Sequence, residues 1–376
     1  MRITAIRETT ASLTSTMRNA FIDFSKMTLS VVAVETDVVR DGRRVVGFGF
    51  NSNGRYAQGG VLRERLIPRI LEAKPGSLLD NDGSNLDPEK IRSCLLANEK
   101  PGGHGERAFA IGAIDSAIWD LVAKIEEKPL YRIIADRFNA GTFDAQVPVY
   151  PGGGYYDPDK SLDGLRAEMQ TYRQSGYTLM KMKIGGASLG EDMARIETAL
   201  EVAETGSNLA VDANAALSLD SAIRYASEID GYNLAWFEEP VQAYDLAGSA
   251  RVAAELDTPI ASGETEYTRY GFQDMIERRA ADIFMPDLER VGGVSEWIKV
   301  AHMAAAVDIP VSPHIFTEHS LQLCGAVSNV NYAEHMPWFV ELFKEKIEMI
   351  DGDILIPDRP GMGFSFDPEA VKRFSI

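Results

Sequence analysis

The chain has 376 residues, a formal net charge of −18 at pH 7 and a hydrophobic content of 45%. This length exceeds the ~250–300 residues at which a single hydrophobic core stops growing, so we expect two cores. The acidic balance argues against nucleic acids and acidic membrane surfaces as partners, because both require basic patches. It is typical of a soluble protein and indicates no particular substrate.

The cysteine content and the N-terminus indicate the compartment. Two cysteines, Cys94 and Cys324, are too few for a disulfide scaffold in a chain of this length. Charged residues rather than a secretory apolar region follow the first residues, and no apolar stretch is long enough to span a bilayer. We therefore predict a cytoplasmic protein.

The first third predicts an α+β domain over residues 1–140. Residues 27–39 are rich in β-branched side chains, and Asp41-Gly42 supplies a hairpin turn before a second strand over 45–50. Asp87-Pro88 is typical of a helix start, with an N-cap followed by proline at the first helical position. Apolar residues at helical spacing between 106 and 124 predict a long second helix.

From about residue 141, short apolar runs alternate with helical stretches, which indicates a parallel sheet. The eight runs cover 147–150, 179–183, 209–212, 234–238, 259–263, 283–286, 309–312 and 330–334. Eight strand–helix units over about 200 residues favour a (β/α)₈ barrel over an open doubly wound sheet. We assign the barrel to residues 141–340. The segment 341–376 carries a hairpin signal at Asp351-Gly352, and we expect it to return and pack on the first domain.

Seven predicted strands end in a charged residue. These residues are Lys183, Asp212, Glu238, Glu264, Asp287, His314 and Glu334. Successive members are 20 to 29 residues apart, about one βα unit, so all seven side chains are expected at the same mouth of the barrel. Barrel enzymes have their active sites at that face. A single acid at a strand end also suits a helix N-cap, but seven in register favour an active site.

Three of the acids, Asp212, Glu238 and Glu264, come from the consecutive strands three, four and five. Three buried anions repel one another and are costly to desolvate, and a divalent cation offsets both costs. Ligands that are all oxygen favour Mg²⁺, and the absence of a neighbouring Cys or His disfavours zinc. We expect a magnesium site here.

The remaining charges predict acid–base chemistry. Lys181 and Lys183 lie two apart on one strand, so both ammonium groups enter the barrel, and each is expected to lower the other's pKa. His314 ends strand seven, and Asp287 is expected to orient its imidazole and raise its pKa. A lysine, a histidine and a cation together suit removal of a proton next to a carboxylate.

These residues stand in motifs that resemble the mandelate racemase branch of the enolase superfamily over essentially the whole chain. The motifs are Lys181-Met182-Lys183, Val211-Asp212-Ala213-Asn214, Trp236-Phe237-Glu238-Glu239-Pro240, Ser262-Gly263-Glu264, Met285-Pro286-Asp287 with Gly292-Gly293, and Ser312-Pro313-His314. The resemblance implies a barrel with an α+β capping domain, usually assembled as a homo-oligomer.

The resemblance also implies roles for individual residues. Asp212, Glu238 and Glu264 would bind one Mg²⁺ per subunit, with Glu238 rather than its neighbour Glu239 as the ligand. Lys183 would be one base, and Asp287 with His314 would form the other acid–base group. Glu334 would hydrogen-bond the substrate carboxylate, and Lys181 and Asn214 would contact the substrate.

Segments 18–23, 51–56 and 99–107 resemble the capping loops of tartrate dehydratases, whereas strands six to eight resemble racemases and sugar-acid dehydratases. In the second of these loops, Arg55 is available for a second carboxylate or several hydroxyls, which favours a polyol acid as substrate.

We therefore predict dehydration of a sugar acid or small dihydroxy diacid to a 2-keto acid. Racemisation or epimerisation of a 2-hydroxy acid uses the same residues and stays open. The fold is also compatible with a catalytically silent sugar-acid-binding protein and with a Schiff-base aldolase. An aldolase would leave the three carboxylates without a purpose.

Overall fold

The computed structural model describes residues 1–13, 24–52, 56–102, 104–157 and 161–376. The predicted substrate residue Arg55 and the capping loop 18–23 therefore lie outside the described residues. Within the described ranges, no helix combines the length and the apolar character that crossing a bilayer requires.

The chain begins with an antiparallel sheet of three strands in the order β1-β2-β3. The strands are β1 (Ile3–Ser12), β2 (Thr28–Arg40) and β3 (Arg43–Asn51). Asp41 and Gly42 join the last two with φ angles of 48° and 73°. Two consecutive positive φ angles are what the tight hairpin turn requires, so the predicted hairpin is confirmed.

Five helices follow. They are α1 (Gly59–Val61), α2 (Ile67–Leu71), α3 (Pro88–Leu95), α4 (Gly105–Ile125) and α5 (Leu130–Phe138), with a π-helical turn over Leu62–Leu66 between the first two. The Asp87 side chain caps α3 as predicted, by accepting from the backbone N–H groups of Glu89 and Lys90.

Helix α4 is buried along most of its length because it is covered on two sides. Towards the sheet, a β-carbon on Gly49 would lie 2.2 Å from the Ala113 carbonyl oxygen, so only glycine allows this approach. Towards the barrel, Trp119 Nε1 donates to Ser295 Oγ at 2.9 Å. The helix therefore joins the N-terminal sheet to the barrel.

The barrel closes through eight strand positions. The parallel order β5-β6-β7-β8-β9-β10 covers most of it, and β11 pairs in parallel with β4. The strands are β4 (Gln146–Tyr150), β5 (Gly152–Gly153), β6 (Met180–Lys183), β7 (Leu209–Asp212), β8 (Phe237–Glu238), β9 (Ile260–Ser262), β10 (Ile283–Phe284) and β11 (Ala333–Glu334). Strands β4 and β5 together fill the first position, so these eight strands occupy seven of the eight positions. The helices are α6 (Leu162–Gln174), α7 (Leu189–Ala203), α8 (Leu219–Ile229), α9 (Leu246–Glu255), α10 (Thr268–Arg278), α11 (Leu288–Val291), α12 (Val294–Ala305) and α13 (Thr317–Cys324). The predicted α/β barrel is confirmed.

The seventh strand position differs from the prediction. In place of a strand over 309–312, Val311 alone forms parallel bridges, to Phe284 on one side and Val330 on the other. Pro310 and Pro313 flank it, and proline has no N–H group to donate to a ladder. The position is filled, but its hydrogen bonding is reduced.

The C-terminal segment contacts both parts of the molecule. It contains β12 (Met349–Ile350), β13 (Asp353–Leu355) and α14 (Pro368–Phe374), and the predicted turn at Asp351-Gly352 joins the two strands. Strand β13 pairs antiparallel with β4 of the barrel. Farther on, Phe366 lies 5.6 Å from the Phe50 ring, and the Ile376 N–H donates to Thr10 O at 3.1 Å. The segment therefore contacts the barrel first and the N-terminal strands afterwards.

Candidate active site

The predicted strand-end residues converge on one end of the barrel. Lys183 is in register with Asp212, and Asp212 with Glu238, on three neighbouring parallel strands. Asp287 and His314 form a parallel bridge across the sixth and seventh positions. A cavity at this end is lined by Lys181, Lys183, Asn214, Glu264, His314 and Glu334, together with residues that the sequence did not single out.

Two of the expected metal ligands contact the strand-two lysines. Lys181 Nζ lies 2.6 Å from Glu238 Oε1 and 3.5 Å from Asp212 Oδ2, and Lys183 is ion-paired with Asp212. Trp236 Nε1 donates to Glu238 Oε2 at 2.9 Å. Burial and the negative charge of Asp212 raise the pKa of Glu238. The carboxylates therefore lie close enough to oppose one another's ionisation.

Lys183 departs from one expectation. Burial lowers the pKa of Lys183, but Asp212, Tyr155 and Glu238 together raise it above its usual value. The predicted lowering by Lys181 is present but smaller. The prediction of a depressed pKa is wrong for this arrangement because it left out the direct ion pair with Asp212.

The histidine behaves as predicted. His314 Nδ1 lies 2.9 Å from Asp287 Oδ2, and Nε2 lies 3.4 Å from Glu264 Oε2. Burial lowers the pKa of His314, but Glu264 and the hydrogen bond to Asp287 raise it above its usual value. Asp287 also caps α11, since its Oδ1 accepts from the Glu289 and Arg290 N–H groups. One carboxylate thus orients the imidazole and starts a helix.

The expected substrate residues also lie here. Asn214 donates its backbone N–H to Asp212 Oδ1 at 2.7 Å. Glu334 Oε1 lies 3.1 Å from Lys181 Nζ, and Oε2 accepts from the Ile315 N–H at 3.0 Å. Burial raises the pKa of Glu334, but Lys181 and His314 lower it below its usual value. An ionised Glu334 only accepts hydrogen bonds, so bonding a substrate carboxylate requires it to take up a proton.

The sequence did not assign a role to several residues at the site. Glu239 is a further acid at this end, 3% exposed, and burial together with Glu264 and Asp212 raises its pKa well above the usual value. Arg290 donates to the Glu264 carbonyl oxygen. Tyr155 presents its ring to Lys183 Nζ, 5.4 Å from the centroid. The paired glutamates and the position of Arg290, three residues after Asp287, were available signals for two of these residues.

The cavity is small. The described side chains leave about 30 Å³, about the volume of one water molecule. Met336 and Trp338 contribute to its lining, and the Trp338 ring lies 4.9 Å from that of Phe24. Binding pockets for small organic ligands usually measure about 300–1,000 Å³. A sugar acid therefore enters only if side chains around the cavity move.

The donor chemistry of the site fits a divalent cation, although the side chains are not arranged around one. Among the described residues, no group of three or more His, Cys, Asp or Glu side chains is placed to hold a metal ion. Instead, the lysine ammonium groups lie against Asp212 and Glu238. The acids at this end are Asp212, Glu238, Glu239, Glu264, Asp287 and Glu334, and the permanent cations are Lys181, Lys183 and Arg290. Six acids against three cations leave a buried excess of oxygen ligands, which suits Mg²⁺.

Sugar-acid enzymes are similar to this chain in sequence. Arabinonate dehydratase of Saccharolobus solfataricus is 35% identical over 274 residues, which cover 70% of this chain and 71% of that protein. The 3,6-anhydro-alpha-L-galactonate cycloisomerase of Streptomyces coelicolor is 30% identical over 366 residues, covering 97% of this chain and 95% of that protein.

A solved structure resembles the fold. The crystal structure of L-talarate dehydratase from Polaromonas sp. JS666, complexed with Mg and L-glucarate, is 30% identical and superposes with a TM-score of 0.84. The match covers 100% of this chain and 97% of that one. Residues 164–370, more than half of the chain, match the family described as Enolase C-terminal domain-like. The chain therefore belongs to the enolase C-terminal domain-like family.

Proposed function

We propose that this protein is a hydro-lyase that dehydrates a sugar acid or small dihydroxy diacid to a 2-keto acid. The observation that carries the proposal is that Lys183 and His314 line one cavity from the second and seventh strand positions. The arabinonate and L-talarate dehydratases among its relatives support the substrate class.

Asp212, Glu238 and Glu264 would hold one Mg²⁺ through carboxylate oxygens. When bound, the cation would neutralise the substrate carboxylate and stabilise the negative charge that develops when the α-proton leaves. The buried excess of acids supports this assignment, as does the Mg in the L-talarate dehydratase crystal structure.

Lys183 would remove the α-proton, which it can do only after Asp212 releases its ammonium group and a proton is lost. His314, whose pKa is raised by Glu264 and Asp287, would donate a proton from Nε2 to the departing β-hydroxyl. The enol that results would tautomerise to the 2-keto acid. Each proton transfer thus has its own side chain.

Lys181, Asn214 and Glu334 would bind the carboxylate end of the substrate. Arg55 would contact a distal carboxylate or hydroxyls, so Arg55→Ala should impair turnover of the best diacid more than that of a matched monoacid. Equal losses for both acids would remove Arg55 from the proposal.

A second candidate is an isomerase, which the similarity to the cycloisomerase of Streptomyces coelicolor over 97% of this chain favours. Lys183 and His314 would then each exchange a proton with the same carbon, or one of them would assist ring opening. Product analysis separates the two activities.

Incubating the Mg²⁺-loaded protein with a panel of aldonic and aldaric acids tests the proposal. We expect at least one acid to yield a 2-keto acid, detected with semicarbazide, and His314→Asn to yield none. An isomer without any keto acid would instead favour the isomerase. If no acid reacts with the Mg²⁺-loaded protein, the proposed activity is wrong.

We also propose the division into a capping domain over 1–140, a barrel over 141–340 and a returning segment over 341–376, and a homo-oligomer that acts in the cytoplasm. Limited proteolysis tests the boundaries, light scattering tests the assembly, and cell fractionation tests the compartment.

A further inference from the structure

A second cavity, of about 690 Å³, lies between helices and shares no lining residue with the cavity over the candidate site. Helix α3 contributes Arg92 together with its C-cap residue Leu96, and α4 contributes Arg107 and Ile111. Residues four apart lie on one face of a helix, so each helix turns one face towards the cavity. The first turn of α10, one side of α12 and residues of the loop between α3 and α4 also line it. We call this space the inter-helix cavity.

The inter-helix cavity is positive although the protein is acidic. Its lining contains the cations Arg92, Lys100, Arg107, Arg269 and Lys299 and the carboxylates Glu89, Glu99 and Glu296. Five cations against three carboxylates leave an excess of two positive charges, in a chain with a formal net charge of −18. Such a local reversal of sign concentrates anions from solution.

Three of the lining cations surround Glu296, whose side chain is fully buried. Its Oε1 lies 3.4 Å from Arg92 Nη2, 2.5 Å from Arg269 Nη1 and 3.4 Å from Lys299 Nζ. One carboxylate therefore forms ion pairs with three cations. Lys299 has a second partner in Glu89 at 2.8 Å, but the Glu89 side chain is 56% exposed.

The position of Arg92 indicates a preorganised binding site rather than a set of surface charges. Its side chain is only 10% exposed, and Nη1 donates to the Gly292 carbonyl oxygen at 3.1 Å. The guanidinium is therefore held in place before any ligand arrives, which reduces the entropy lost on binding. Burial and the charge of Arg107 lower the pKa of His104, another lining residue, in agreement with a positive field.

We propose that the inter-helix cavity binds a small organic oxyanion, whose carboxylate or phosphate group contacts Arg92, Arg269 and Lys299. Planar guanidinium groups match the oxygens of both anions. Leu96 and Ile111 provide an apolar wall for the rest of the molecule. The volume lies within the range of small-molecule sites.

Calorimetric titration of the Mg²⁺-loaded full chain with inorganic phosphate and, separately, with succinate tests the proposal. We expect at least one probe to bind, and Arg269→Gln/Lys299→Gln to weaken that binding at least tenfold. Arg373→Gln is the matched control, because it removes a 64% exposed cation on α14 and should leave the affinity unchanged. Binding of phosphate alone assigns a phosphorylated ligand, and binding of succinate alone assigns a carboxylic acid.

Lys183→Ala separates this cavity from the candidate active site, and its affinity for the probe should equal that of the wild type. Loss of binding in Lys183→Ala would place the probe in the active site and overturn the proposal. Absence of binding by either probe at 20 mM, or unchanged binding in the double variant, would also overturn it. If circular dichroism shows the double variant unfolded, Lys299→Gln alone replaces it, with a weakening of at least threefold expected.

Discussion

Asp287→Asn should separate the two tasks of Asp287. The side-chain oxygen of asparagine still accepts from the N–H groups that Oδ1 now caps, but the amide nitrogen cannot accept the His314 Nδ1–H. The lost bond is a charged one of 2.9 Å, and such bonds contribute about 1.5–3 kcal/mol. If the transition state realises this energy, kcat falls about 10- to 150-fold, since each 1.36 kcal/mol is tenfold.

The pH dependence gives a second, independent readout. His314 is expected to act in its protonated form, so activity is present below its pKa and lost as pH rises through it. The hydrogen bond to Asp287 and the charge of that carboxylate both raise the pKa of His314. Asp287→Asn should therefore move the alkaline limb of the kcat profile to lower pH.

Steady-state kinetics from pH 5 to 10 and urea unfolding measure both tasks. Asp287→Ala should lose activity similarly and also lose the cap, at about 1 kcal/mol of unfolding free energy. Asp367→Asn is the matched control, because Asp367 caps α14 by accepting from the Glu369 N–H at 3.1 Å. Wild-type kcat and an unmoved alkaline limb in Asp287→Asn would refute the role assigned to the pair.

Three further outcomes are expected. Excess EDTA should abolish turnover, and added Mg²⁺ should restore it; full turnover in excess chelator would contradict the metal assignment. Glu238→Gln should stay folded but bind Mg²⁺ weakly in calorimetry. NMR in D₂O should show α-hydrogen exchange of the substrate in His314→Asn but not in Lys183→Ala. The reverse pattern would make His314 the base and Lys183 the acid. Gly49→Ala should lower the free energy of unfolding, measured in urea, by about 1–3 kcal/mol through overpacking against α4. Gly60→Ala, which has open space around it, should not destabilise the protein, and equal effects of the two changes would contradict the close approach at Gly49.

The convergence of charges was predictable because it depends on spacing alone. Parallel strands of a barrel end at the same face, so a charged residue repeated once per βα unit, from Lys183 to Glu334, must reach one mouth. The long helix α4 was predictable from a different pattern, the helical spacing of its apolar residues. Neither prediction required knowledge of side-chain contacts.

Features of the site that depend on side-chain contacts were not predictable from the sequence. The family resemblance favoured Glu238 over its neighbour Glu239 as the metal ligand and assigned Glu239 no role. In the structure Glu239 has a φ of +40°, which is not a strand conformation, and its carboxyl lies within the field of Glu264 and Asp212. The direction of the Lys183 pKa was also mispredicted, because it depends on contacts with Asp212, Tyr155 and Glu238 that the sequence does not show.

The orientation of His314 depends on the N-terminal helices as well as on the barrel. Asp287 orients the imidazole while capping α11, a helix of four residues that is too short to be stable alone. Ser116 of α4 donates to Glu289 in the middle of α11 at 2.9 Å, and Arg92 of α3 donates to the carbonyl oxygen of Gly292, its C-cap residue. The N-terminus of α11 therefore lies in the candidate active site, through Asp287. Its C-terminus contacts the lining of the inter-helix cavity, through Gly292 and Arg92.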